Sequence, residues 1–81
     1  MKYTIVGQAE KNGMELIGVG RVLGRPAKEI RSGDVLLWNY GVKEKVYIEK
    51  ETEKTLTVFT VIEGRKYIRR LNKNRLVCIL E

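Results

Sequence analysis

The sequence predicts an all-β domain, and three observations carry that prediction. Short runs rich in β-branched and aromatic residues recur along the chain, at Tyr3–Val6, Val35–Tyr40 and Thr55–Ile62. Turn-forming clusters separate them: Asn12-Gly13, Ser32-Gly33-Asp34, Glu63-Gly64 and Asn72-Lys73-Asn74. Gly18 and Gly20 sit inside the one early apolar stretch with helical potential, and each costs a helix about 1 kcal/mol relative to Ala. At 81 residues the chain makes one small domain, 1–81, without a linker, repeat or low-complexity run.

Taken in order, residues 2–23 read as a hairpin. Lys2 to Ala9 is the first arm, Asn12-Gly13 supplies the positive φ angles of a tight turn, and Met14 to Leu23 returns. Gly24-Arg25-Pro26 breaks the chain, and Pro26 to Ile30 suits one helical turn with proline at its first position. Ser32-Gly33-Asp34 is a turn that Asp34 closes. Val35 to Tyr40 is apolar on both faces, which places it centrally in a sheet. Lys45 to Lys50 alternates, with Val46 and Ile48 on one face and Tyr47 and Glu49 on the other. Thr55 to Ile62 is a strand, Glu63-Gly64 a two-residue hairpin turn, Arg65 to Leu71 the returning strand and Leu76 to Leu80 a final apolar strand.

Composition narrows the function. Hydrophobic residues at 43% with 32% charged is an ordinary globular balance. The chain has no histidine, which removes His-based acid–base catalysis, Ser-His and Cys-His nucleophile pairs, and the commonest metal ligand. With Cys78 the only cysteine, zinc-finger, iron–sulfur and internal-disulfide frameworks also fail. The expectation is a non-catalytic protein without cofactor or metal. Cys78, flanked by Val77 and Ile79, reads as a buried, inert thiol. No apolar run suits a signal peptide or a membrane span, so the expected location is the cytoplasm.

The charge is concentrated. Sixteen Lys plus Arg face ten Asp plus Glu, a net +6, and six cations fall between residues 65 and 75: Arg65, Lys66, Arg69, Arg70, Lys73 and Arg75. No acidic residue interrupts them, and Tyr67 lies among them. Cations two apart along a strand lie about 7 Å from each other, near the phosphate spacing of a nucleic-acid strand, and Tyr67 offers a stacking face. Arg65, Lys66, Tyr67, Arg69, Arg70, Lys73 and Arg75 are therefore the candidate nucleic-acid-binding residues. The same cations equally suit a solvated face that pairs with Glu49, Glu51, Glu53 or Glu63 across the sheet.

Pairing across Glu63-Gly64 sets Leu56, Val58, Thr60 and Ile62 opposite Leu71, Arg69, Tyr67 and Arg65. That face is the expected core side, with Lys66 and Arg70 outward. Arg69 interrupts it, which a β-bulge near Arg69-Arg70 or cover from the N-terminal hairpin would accommodate. Three or four of the six cations can then serve one flat surface. Trp38 with Tyr40 reads as core or as a stacking platform, and Arg21, Arg25, Lys28 and Arg31 form a looser basic group around Glu29. Gly18-x-Gly20-x-x-x-Gly24 lacks the Lys-Ser/Thr ending and helical context of a phosphate-cradling loop.

The entry Ile30-x-x-Gly33-Asp34-Val35, five strands over about 35–80, and the Asn72-Lys73-Asn74 turn before Leu76-Val77-Cys78-Ile79 together resemble SH3-like small β-barrel proteins of bacteria and phages. The resemblance spans Ile30 to Leu80 and implies a five-stranded barrel preceded by the hairpin and helical turn. It departs from peptide-binding SH3 domains in lacking an acidic loop facing a lone Trp, and its fourth strand is basic, so a Pro-rich ligand is not expected. Two functions remain open. One is a nucleic-acid or polyanion-binding module contacting a DNA or RNA backbone with weak sequence preference. The other is a protein-interaction or inhibitor module of phage or mobile-element type, docking on an acidic partner.

Overall fold

The computed structural model describes all 81 residues and is all-β, with no helix as long as seven residues. The strands are β1 (Gly13–Leu16), β2 (Gly20–Leu23), β3 (Arg25–Pro26), β4 (Val35–Leu37), β5 (Lys43–Lys45), β6 (Tyr47–Glu51), β7 (Thr55–Ile62), β8 (Arg65–Asn72) and β9 (Leu76–Ile79). They form three antiparallel groups: the hairpin β1–β2, a sheet of order β3–β9–β4–β5, and a sheet of order β6–β7–β8. None closes on itself. No helix is long and apolar enough to cross a membrane.

Burial on both faces puts β4 and β9 in the middle layer. Leu36, Val77 and Ile79 point into a core shared with Leu56, Val58 and Leu71 of the neighbouring sheet and with Val46. The intervening residues Val35, Leu37, Cys78 and Leu80 point the other way, into a second core closed by Leu16 and Val22 of the β1–β2 hairpin. This alternation is why both strands read as continuous apolar runs. The N-terminal hairpin thus covers the second face of β4 and β9, whereas the sequence also allowed it to cover β7–β8.

The hairpin itself differs from the sequence expectation. Its turn is Ile17-Gly18-Val19, with Gly18 at φ 78° and Gly20 at φ 120°, and Asn12-Gly13 lies at the start of its first arm. Residues 2–9 form no strand. They contribute one bridge, Ile5 with Val22, and a Lys2–Glu81 backbone pair at 2.7 and 2.9 Å. The two glycines win because positive φ is cheap only for glycine, and the turn seats against the Asn39–Gly41 3₁₀ turn. There Asn39 Oδ1 accepts the Ile17 N–H at 2.9 Å and Ile17 O accepts the Tyr40 N–H at 2.6 Å.

Elsewhere the order of elements follows the pattern of residues. A single 3₁₀ turn covers Ala27–Glu29, with Pro26 at its N-cap and not at the first helical position the sequence suggested. Asp34 closes its turn by accepting the Arg31 N–H at 2.8 Å. The strand at Val35 stops at Leu37, because Tyr40 turns the chain with φ 63°. β5 and β6 are one strand path broken at buried Val46, where the chain passes from the middle sheet to the outer one.

Candidate nucleic-acid interface

β7 and β8 pair over their full eight residues in the register that the Glu63-Gly64 turn dictates, from Ile62 with Arg65 to Thr55 with Asn72. Both turn residues have positive φ, 51° and 77°, as a two-residue hairpin with right-handed strand twist demands. The register runs without a break through Arg69 and Arg70, so the expected bulge there is absent. The irregularity lies instead in β6, between Ile48 and Lys50.

The side of β7 carrying Leu56, Val58 and Thr60 is buried, so the expected core face is correct, and Arg69 lies on it opposite Val58. Arg69 stays at the margin by lying on Trp38, its guanidinium carbon 4.4 Å from the ring centroid. Its Nε and a terminal nitrogen donate to the two oxygens of Glu44 at 3.0 and 3.1 Å. Glu44 Oε1 also accepts the Trp38 Nε1–H at 3.2 Å. The hydrogen bonds to Glu44 hold the Arg69 guanidinium above its ordinary range against the opposing effect of burial. Trp38 is therefore half-buried against the core beneath a cation, while Tyr40 projects 74% exposed from its turn. The two make no common stacking platform.

The candidate residues do not converge on one plane. Along β8, Arg65, Tyr67 and Arg69 lie on the core side and Lys66 and Arg70 on the outer side, because strand residues alternate. Each like-facing pair of cations is four residues apart, about 13 Å along the strand, and the expected 7 Å spacing does not arise. Each face thus carries two of the strand's cations, fewer than the three or four expected.

Carboxylates hold half of the six. Lys66 pairs with Glu49 and lies over the Phe59 ring at 4.6 Å, Lys73 pairs with Glu51 at 2.6 Å, and Arg69 pairs with Glu44. Two of these partners, Glu49 and Glu51, are among the carboxylates the sequence offered, whereas Glu53 and Glu63 pair with nothing. Arg65, Arg70 and Arg75 are exposed and have no carboxylate partner. Arg75 faces the Trp38 ring at 5.8 Å, and Tyr67 is 48% exposed near the hairpin tip.

The looser basic group has separate duties. Arg21 donates to the Gly7 and Glu10 carbonyl oxygens and ties down the loop before β1. Arg25 lies between Glu29 and Glu81 at 3.8 and 3.9 Å. Lys28 and Arg31 line one shallow depression with Arg25, Glu29 and Asp34.

Sequence reasoning missed four residues on the outer face of β6–β7–β8: Tyr47, Phe59, Ile68 and Lys50. Tyr47 and Phe59 are directly paired, their rings 5.6 Å apart and tilted by 33°, and Ile68 continues the row. Lys50 joins that face because the β6 irregularity pairs it with outward Thr57, where an unbroken strand would place Glu49. The outward setting of Tyr47 and Phe59 was available from strand alternation; that of Lys50 was not. Set against known protein families, characterised proteins and solved structures, the chain matches none of them.

Proposed function

We propose that this protein is a non-catalytic binding module that contacts nucleic acid through the β7–β8 hairpin and the sheet around it, with weak sequence preference. One observation carries the reading: Arg65, Arg70 and Arg75 remain uncompensated on or beside a single hairpin, while Lys66, Arg69 and Lys73 are matched by carboxylates. Arginine bonds phosphate through two N–H groups at once, so three free guanidinium groups suit a phosphate backbone. The fold reading that goes with it is an SH3-like barrel of five strands over about 35–80: β4, the β5–β6 path, β7, β8 and β9. Its support is that the β5–β6 path serves two sheets, joined at Val46.

The test is an electrophoretic mobility-shift series with DNA and RNA between 50 and 300 mM salt. Binding is expected to weaken steeply with salt, and the triple variant Arg65→Ala, Arg70→Ala, Arg75→Ala to lower the log–log salt slope by about 3. Affinity should fall alike for all sequences. No binding by the unmodified protein at 50 mM salt defeats the reading.

A second reading has its own observation. β8 is an edge strand, and antiparallel alternation from the Ile62–Arg65 pair leaves the backbone groups of Lys66, Ile68 and Arg70 facing outward without a strand partner. An extended acidic segment of a partner protein suits that edge by strand addition. Capture of one stoichiometric partner that survives nuclease treatment would favour it over the first.

A further inference from the structure

The outer face of β6–β7–β8 carries two adjacent rows of different chemistry. Tyr47, Phe59 and Ile68 run across the three strands as an aromatic and apolar row, with Tyr47 37% and Ile68 56% exposed. The next row, about 7 Å further along the strands, is Lys50, Thr57 and Arg70. Lys50 and Arg70 also line a shallow depression with Thr52, Thr55 and Thr57, and no carboxylate lines it. Neither cation has an ion-pair partner. The Thr52 and Thr55 hydroxyls meet at 2.6 Å, so one donates to the other and a single O–H remains free to donate to a bound oxygen.

We propose that this face is a binding site for single-stranded nucleic acid, with a backbone phosphate in the Lys50–Thr57–Arg70 depression and an adjoining unpaired base stacked on Tyr47. The inference rests on the nucleic-acid reading and adds to it the strandedness of the ligand and a site beyond the basic hairpin. Cations and hydroxyls without a carboxylate select an anion, and an accessible ring one row away selects a flat π-system joined to it. A duplex keeps its base faces stacked internally. It can offer phosphates to Lys50 and Arg70 but nothing to Tyr47. Phe59 lies behind Tyr47 under the Lys66 ammonium, so it supports the exposed ring from the side and is not the first stacking surface.

Fluorescence anisotropy with labelled oligo-thymidine and oligo-uridine 15-mers, beside a duplex of matched length, tests this at 50 mM salt. Tighter binding of the single strands is expected, and the two oligomers distinguish DNA from RNA. Tyr47→Ala should weaken single-strand binding by about 5- to 100-fold and leave duplex binding unchanged, while Tyr47→Phe retains affinity. Lys50→Ala with Arg70→Ala should weaken every ligand and lower the salt slope by about 2. Circular dichroism establishes that each variant is folded, which the exposure of Tyr47 favours. Equal affinity for duplex and single strand, or indifference to Tyr47→Ala, overturns this site alone. Absence of binding to all three probes overturns the nucleic-acid reading beneath it as well.

Discussion

Arg69 and Glu44, 25 residues apart in the chain, are joined by two hydrogen bonds of 3.0 and 3.1 Å beside the face of Trp38. The Glu44 side chain is only 10% exposed, whereas that of Arg69 is 46% exposed. A carboxylate so placed depends on its donors, and removing Arg69 strands it beside the Trp38 N–H alone.

A double-mutant cycle on Glu44→Ala and Arg69→Ala is therefore expected to give a coupling energy of about 1 kcal/mol, since one partner is solvent-screened. The same cycle on Glu49 and Lys66, both substantially exposed, should give less than about 0.5 kcal/mol. Urea denaturation followed by the fluorescence of Trp38, the only tryptophan, measures both. Equal couplings would refute the distinction drawn between the two pairs.

The hairpin turn gives a prediction of opposite signs at adjacent residues. Glu63 adopts φ 51°, and a left-handed conformation costs a non-glycine residue about 1–2 kcal/mol, less for Asn. Glu63→Asn should raise stability by about 0.5–1 kcal/mol, while Gly64→Ala, at φ 77°, should lower it by about 1–2 kcal/mol. Thermal unfolding checks the pair, and a loss in both would argue against this turn geometry.

Leu36 and Leu71 both belong to the larger core, at 0% and 2% exposure. Truncating either to Ala should cost about 2–5 kcal/mol. A domain this small holds little more than that in total, so loss of the cooperative transition at 37 °C is the expected result. Val61→Ala, at 55% exposure near the hairpin tip, should stay within about 0.5 kcal/mol and serves as the control.

Cys78 is 2% exposed, and burial pushes its thiol up, with Arg25 acting in the opposite direction. The folded state thus holds the thiol proton more tightly than the unfolded chain. The contribution is fully present below the ordinary thiol value, about pH 8.5, and is lost as pH climbs from there through the raised folded value. Cys78→Ala should therefore show a smaller drop in unfolding free energy between pH 7.5 and 9.5 than the unmodified protein. A thiol reagent at pH 8 should react within minutes only after urea is added.

Much of the fold is legible in local pattern. The β7–β8 pairing follows from Glu63-Gly64, because a two-residue turn sets the register of everything beyond it. Burial on both faces of β4 and β9 follows from uninterrupted apolar residues in short runs. The N-terminal hairpin was misplaced because Asn12-Gly13 and Gly18-x-Gly20 compete as turns, and local propensity ranks the first higher. Contact with the Asn39–Gly41 turn decides for the second.

The candidate site divides the same way. Which residues carry the excess charge, and that they alternate along a strand, is a property of the sequence. Which of them remain free is a property of the tertiary structure alone. Lys66, Arg69 and Lys73 are taken up by Glu49, Glu44 and Glu51, from 17 to 25 residues away; the sequence offered Glu49 and Glu51 among four carboxylates without saying which would pair, and did not offer Glu44. Lys50 reaches the outer face only because a one-residue irregularity in β6 reverses its direction. By itself the sequence determined an all-β chain with a basic strand turned at Glu63-Gly64, since turn sterics and side-chain period act over a few residues; the tertiary structure decided that its register runs unbroken through Arg69 and Arg70. Packing decided that Arg69 belongs to Trp38 and Glu44, and that Arg65, Arg70 and Arg75 stay exposed without a carboxylate partner.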